Sequence, residues 1–186
     1  MRIRPAFLAL PLLAPTALAA QTPQTGQARL EIVGEAPGAC VIRGPGTATA
    51  TNASYASTGP SAGRLRITEM VGSESESRGV TADLGLEIVC NSPHRLVLRS
   101  ENGGMRRAGA GAGPQGPFAE LLPYQFRASW LGQEASSATD GAGPLVMESN
   151  RGGAGLLSLG VVVPPGIKLV AGDYRDSVIL EFRAAE

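Results

Sequence analysis

Histidine, lysine and cysteine are scarce in this 186-residue chain, and the scarcity excludes a class of site. His94 is the single histidine, Lys168 the single lysine, and Cys40 and Cys90 the only cysteines. Two thiols and one imidazole are too few for a closed zinc site, and their spacing matches no zinc motif. We therefore expect the chain to hold neither a metal nor a cofactor.

Long apolar runs and an excess of one charge are also missing. No run after the first 13 residues reaches the roughly 18 apolar residues that a transmembrane helix needs, so we expect no membrane span. Lys and Arg together number 16, as do Asp and Glu. Without a basic surplus the composition argues against nucleic acid as a partner.

The N-terminus has the three parts of a secretory signal peptide. Arg2 and Arg4 are basic, residues 6–13 are apolar, and residues 17–19 supply the small side chains that precede a cleavage site. We predict a signal peptide over residues 1–19 and a secreted protein, in the periplasm in transit and then at the cell surface.

Export changes how the two cysteines are interpreted. In an oxidising compartment an even pair is typical of a disulfide, so we predict a bond between Cys40 and Cys90. A bond that closes a loop of about 50 residues stabilises a fold by roughly 4 kcal/mol in the chain-entropy model.

Apolar and polar residues alternate along most of the mature chain, and no window of a dozen residues has helical periodicity. This pattern predicts an all-β sandwich or barrel of seven or eight strands. The expected strands cover residues 28–33, 40–42, 64–68, 84–90, 94–99, 124–130, 157–163 and 172–182, with a weak strand within 47–57. Residues 72–79, 109–117 and 132–155 are expected to be loops.

The final stretch, residues 172–182, predicts one strand that follows a Gly-Asp turn and stops at an aromatic residue. Its alternation directs Val178, Leu180 and Phe182 into the core, and Ile179 and Glu181 outward. A strand at the end of a chain leaves a backbone edge that something must cover.

Three short motifs suggest chemistry, but each has a simpler explanation. His94 near Cys90 could form a nucleophile pair, although an oxidised sulfur cannot attack, and we expect a surface or rim histidine. Ser61 lies in a G-x-S-x-G match at residues 59–63, a motif that needs a strand before it and a helix after it. Residues 111–116 match G-x-G-x-x-G, but Pro114 removes a backbone donor and no helix follows. We expect no catalytic residue.

Other polar groups are expected to be unremarkable. Residues 52–54 form a glycosylation sequon, which matters only in a host that glycosylates its secreted proteins. Arg106 and Arg107 are a lone basic pair, and Asp173 and Asp176 flank Tyr174. We expect all four charged residues to be solvated turn residues.

Several segments together resemble the spore coat protein U domain family, which includes subunits of archaic chaperone–usher pili. The most specific is the closing run of residues 171–178, Ala-Gly-Asp-Tyr-Arg-Asp-Ser-Val, followed by the second cysteine in residues 86–91, Leu-Glu-Ile-Val-Cys-Asn. Residues 26–33, 102–106 and 122–126 add to the resemblance. The chain departs from the family in lacking a Phe-Gly motif within residues 44–63 and in extending to Glu186.

The resemblance implies an immunoglobulin-like, pilin-type β-sandwich over residues 35–186 that lacks one strand. A periplasmic chaperone would lend that strand, and an outer-membrane usher would exchange it for the N-terminal extension, residues 20–34, of the next subunit. The inserted residues would be Ala28, Leu30 and Ile32. The groove would be bordered by residues of the C-terminal strand: Tyr174, Val178, Leu180 and Phe182.

Three functions remain open at this stage. The first is a structural subunit of a surface pilus that polymerises by donor-strand exchange, with roles in adhesion and biofilms. The second is a self-contained secreted binding or coat module whose N-terminal strand fills its own sheet. The third is a hydrolase that uses Ser61.

Overall fold

The computed structural model describes residues 31–111, 116–141 and 143–184. The chain divides into two compact units, Met1–Glu35 and Ala36–Glu186. In the first unit the described residues, 31–35, are exposed and form no strand. The predicted signal peptide and two of the predicted inserted residues, Ala28 and Leu30, lie outside the described residues.

The second unit is built from β-strands, and its described residues form no helix. No helix in the described part of the chain is long and apolar enough to cross a membrane. The residues that the structure describes form thirteen strands: β1 (Cys40–Thr51), β2 (Ala53–Gly59), β3 (Ala62–Ile67), β4 (Val80–Cys90), β5 (His94–Ser100), β6 (Met105–Arg107), β7 (Leu121–Leu122), β8 (Gln125–Trp130), β9 (Gln133–Ala138), β10 (Leu145–Ser149), β11 (Gly153–Val163), β12 (Tyr174–Arg175) and β13 (Val178–Ala184).

The strands form antiparallel sheets, an arrangement consistent with a β-sandwich, and the predicted all-β class is confirmed. A five-stranded sheet has the order β1-β4-β11-β8-β9, and a three-stranded sheet has the order β10-β5-β13. Contacts link β10 to β9 and β13 to β1, so the smaller sheet spans the distance between the two edges of the larger one. A second three-stranded sheet, β12-β6-β7, and the β2–β3 hairpin complete the unit.

Alternation along the strands explains how the core forms. In β4 the residues at even positions face inward, and Val80, Ala82, Ile88 and Cys90 are buried while their neighbours are mostly exposed. In β5, Leu96 and Leu98 are fully buried, and in β8 Phe126 and Trp130 are buried. Burying each large side chain contributes about 1.5–3 kcal/mol, which makes this alternation the main determinant of strand register.

One stretch that was expected to be a loop contains strands, so that prediction is wrong. Residues 132–155 contain β9, β10 and the start of β11. β9 has the sequence Gln-Glu-Ala-Ser-Ser-Ala, with no β-branched or aromatic residue, and it forms because its backbone pairs along the whole of β8. β10 is short, but Leu145 and Met147 are buried at alternate positions.

The expected single strand over residues 172–182 is also wrong. Tyr174 and Arg175 form β12 and pair with β6, whereas β13 begins at Val178 and pairs with β5. Asp176 and Ser177 separate the two strands, so the chain leaves one sheet and enters another at this point. The strand also does not stop at Phe182, because β13 continues to Ala184.

Candidate functional site

The free edge of β13 is the part of the fold best suited to bind another strand. β13 is the last strand of its sheet, and among the described residues its backbone pairs with β5 alone. β1 is likewise an edge strand, one of the two in the five-stranded sheet, and it contacts β13. Two edge strands from opposing sheets therefore meet along one side of the unit, which we call the open side.

Apolar side chains near the open side are only partly covered. On β13, Leu180 and Phe182 pack against the core but remain partly exposed, although their cross-strand partners Leu98 and Leu96 are fully buried. Their inward direction agrees with the expected alternation. The expectation for Val178 is wrong, because Val178 is 42% exposed and stands opposite Ser100, at the end of the sheet.

The five-stranded sheet shows the same incomplete cover. Leu84 and Leu86 occupy inward positions in the middle of β4, and Ile42 occupies one on β1, yet all three are only partly buried. The buried inward-facing positions of β4 lie on either side of this middle section. Apolar side chains in this part of the five-stranded sheet are therefore incompletely covered.

Asp176 fixes the start of β13 in place. Its Oδ2 accepts hydrogen bonds from Ser100 Oγ at 2.5 Å and from the Tyr124 hydroxyl at 2.6 Å. Its Oδ1 accepts from the backbone N–H and the side-chain amide of Asn102, at 3.1 and 3.0 Å, and from the N–H of Ser177 at 2.9 Å. One carboxylate thus connects the ends of three strands, and the expectation of a solvated turn residue is wrong.

The environment of Asp176 and Tyr124 changes the pKa of Tyr124. Burial raises the pKa of its phenol, and the hydrogen bond and negative charge of Asp176 raise it further. The phenol therefore stays protonated and acts as a donor to the carboxylate. The sequence offered one signal for this contact, namely a charged residue within the run of residues 171–178.

The opposite end of β13 lies beside the disulfide. Cys40 and Cys90 are direct cross-strand partners in β1 and β4, with their Cα atoms 4.1 Å apart, and the predicted bond is confirmed. His94, Trp130 and Phe182 cluster here with ring centroids 6.0–6.1 Å apart. The aromatic cluster fills the core at the point where β13 ends.

His94 is 2% exposed, so the prediction of a surface or rim histidine is wrong. Its Nε2 accepts a hydrogen bond from the Trp130 indole N–H at 2.8 Å, and its Nδ1 lies 3.0 Å from the Ser92 carbonyl oxygen, to which it donates. Donor atoms of Cys40, Cys90 and His94 lie within 4.8 Å of one another. The sulfurs are bonded to each other and both ring nitrogens have partners, so the arrangement is that of a packed core.

Tyr174 lies in the β12-β6-β7 sheet. Val178, Leu180 and Phe182, which were predicted to border the groove together with Tyr174, lie in β13. The Tyr174 hydroxyl lies within hydrogen-bond distance of two carbonyl oxygens, that of Ala119 at 2.7 Å and that of Val170 at 2.9 Å, which share its one donated hydrogen. Arg107 forms a partly buried ion pair with Glu120 beside it, so the expectation of a solvated Arg107 is wrong. The side chain of Tyr174 therefore ties β12 to the backbone segments around Ala119 and Val170.

The remaining candidates have structural positions. Ser61 lies in the turn between β2 and β3, where a strand rather than a helix follows. Asn52, the first residue of the sequon, has φ 55° and bonds through its side chain to the backbone of Glu69 and Gly79. Ile32 and its neighbour Val33 are each 86% exposed and belong to no strand. Residues 112–115 of the G-x-G-x-x-G match lie outside the described residues.

Neither a model of a known protein family nor a curated protein matches this chain. The candidate site therefore depends on the geometry of the open side.

Proposed function

We propose that this protein is an exported structural subunit of a surface pilus, that its unit is an incomplete immunoglobulin-like sandwich, and that subunits join when one chain's N-terminal extension adds a strand to the next. Catalysis has no part in this function. The observation that carries the proposal is the free edge of β13 beside partly covered apolar side chains. A strand added there gains backbone hydrogen bonds and fills pockets with alternate side chains.

The N-terminal extension supplies a strand of the right kind. Ala28, Leu30 and Ile32 alternate with polar residues, and Ile32 is exposed where the structure describes it. Burying Leu30 and Ile32 would contribute about 1.5–3 kcal/mol each. A contact between the head of one subunit and the tail of the next does not close on itself, so repetition builds a filament.

The proposal implies three kinds of partner. Before assembly a periplasmic chaperone covers the edge of β13, since an exposed strand edge invites aggregation. An outer-membrane usher then receives the subunit, and other subunits follow. The protein passes through the periplasm after residues 1–19 are removed.

A double substitution in the extension tests the proposal. We expect Leu30→Asp with Ile32→Asp to prevent assembly of the full secreted chain, because two carboxylates cannot enter apolar pockets without a large desolvation cost. Arg29→Asp with Val33→Asp is the matched control, since it places two carboxylates on the other face of the same segment. Size-exclusion chromatography with light scattering and electron microscopy measure assembly.

An excess of synthetic peptide of residues 26–33 should also terminate assembly, whereas a peptide with both aspartates should not. Normal filaments from the Leu30/Ile32 variant would overturn the proposal.

A self-contained secreted module is the second candidate, and the contact between β1 and β13 favours it because that contact narrows the open side. This candidate predicts a stable monomer that does not bind the peptide of residues 26–33. Deletion of residues 26–33 would then unfold the protein, because each molecule would lose the strand that completes its own sheet.

A further inference from the structure

Two arginines on the β2–β3 hairpin face solvent without a countercharge. Arg64 and Arg66 are exposed on one face of β3, opposite Ala56 and Ser54 on β2. Alternate residues of a strand are about 6.7 Å apart, so the two guanidinium groups can act together. Their cross-strand neighbours are small and neutral, which leaves both groups accessible.

Four arginines elsewhere in the described chain form ion pairs with glutamates. Neither Arg64 nor Arg66 forms an ion pair with a described residue, and the sequence from Cys40 to Thr68 contains no aspartate or glutamate. Uncompensated like charges repel one another, so an external anion would relieve this arrangement. The internal pairs are Arg78–Glu69, Arg95–Glu148, Arg107–Glu120 and Arg183–Glu181.

A second exposed pair, Arg106 and Arg175, is less well suited to an external anion. These two residues stand directly opposite each other on β6 and β12. Asp173 is exposed two positions before Arg175, on the same side of the extended chain, and offers a local countercharge. The hairpin has no such residue.

The other face of the hairpin holds it against the unit. Tyr55 and Leu65 are cross-strand partners on that face and are partly buried, and Ala53 and Ile67 pack against the core. The arginine face is therefore directed away from the core on a supported platform. Ala53 and Ile67 therefore anchor the base of the hairpin.

We propose that this face of the hairpin binds an anionic polysaccharide, with Arg64 and Arg66 holding its carboxylate or sulfate groups. A guanidinium group matches the geometry of such oxyanions with two parallel hydrogen bonds. A membrane surface fits less well, because the turn at residues 60–61 is Pro-Ser and offers no large apolar side chain for insertion. The proposal does not depend on strand addition, which involves β1 and β13.

Binding of defined polymers to the full chain tests the proposal. The probes are polygalacturonate, which carries carboxylates, heparin, which carries sulfates, and neutral dextran, measured by calorimetry at low and high ionic strength. We expect Arg64→Gln with Arg66→Gln to weaken binding of at least one anionic polymer about tenfold, with a smaller salt dependence. Dextran should not bind.

A matched control separates the site from net charge. Arg95→Gln with Arg99→Gln also removes two exposed charges from one face of a strand, but that face carries the glutamates Glu148 and Glu181. This variant should bind like the unchanged protein, and circular dichroism should show both variants folded. Equal losses in both variants, or no binding of either anionic polymer, would overturn the proposal. So would binding to anionic lipid vesicles alone.

Discussion

At the residue scale, Asp176 connects distant parts of the chain through a single carboxylate. Five donors from four residues surround its carboxylate, and three of those residues lie more than 50 positions away in sequence. Hydrogen bonds to a charged group contribute about 1.5–3 kcal/mol each, more than neutral ones. The residue therefore decides where the chain ends one strand and starts the next.

Asp176→Ala should lower the free energy of unfolding by about 3 kcal/mol or more, because it leaves Tyr124 and Ser100 with unpaired polar groups. Asp173→Ala removes a carboxylate from an exposed position three residues earlier and should change the value by less than about 0.5 kcal/mol. Urea titration followed by tryptophan fluorescence measures both. Similar losses in the two variants would contradict this assignment.

Tyr124 should make the fold sensitive to alkali. Its pKa is raised in the folded state above the ordinary value of 10.0, chiefly by burial. As the pH rises, the phenol therefore loses its proton in the unfolded state before it does so in the folded state. The contribution of Tyr124 to the free energy of unfolding is fully present below pH 10 and is lost as the pH rises above that value. Tyr124→Phe should be less stable at pH 7 but should have a shallower decline between pH 10 and 11. An unchanged slope of stability against pH would contradict the argument.

At the element scale, the two edges of the β10-β5-β13 sheet differ in what they border. β10 contacts β9, and β13 contacts β1 along the open side. Val146 on β10 and Val178 on β13 are exposed to similar extents, 44% and 42%. The two valines therefore allow one substitution to be compared at both edges.

Val178→Lys should block assembly without a large loss of stability, because a lysine on an edge strand opposes the approach of another strand. Val146→Lys should assemble normally, since the proposed strand addition does not involve β10. Thermal unfolding checks the stability of each variant, and light scattering measures assembly. Equal inhibition by both lysines would place the contact elsewhere.

At the scale of the whole molecule, the sequence predicted what local alternation controls. The strands β4, β5, β8 and β11 have clear apolar faces, and the disulfide between Cys40 and Cys90 is confirmed. β9 could not be predicted, because its strand conformation comes from pairing with β8 rather than from its own side chains. The contacts of Asp176 and His94 were also out of reach, since they join residues that only the tertiary fold brings together.

The placement of the disulfide has a mechanical consequence. In a filament of the proposed kind, a pull along the fibre would enter each unit through the extension that precedes Cys40. β1 is an edge strand, paired with β4 only. Without the disulfide, a force on its first residue would peel it away one hydrogen bond at a time. The bond to Cys90 instead transmits the tension directly to β4, which is paired on both sides by β1 and β11. The unit would then resist by shearing whole strands at once, and the fibre would hold under flow.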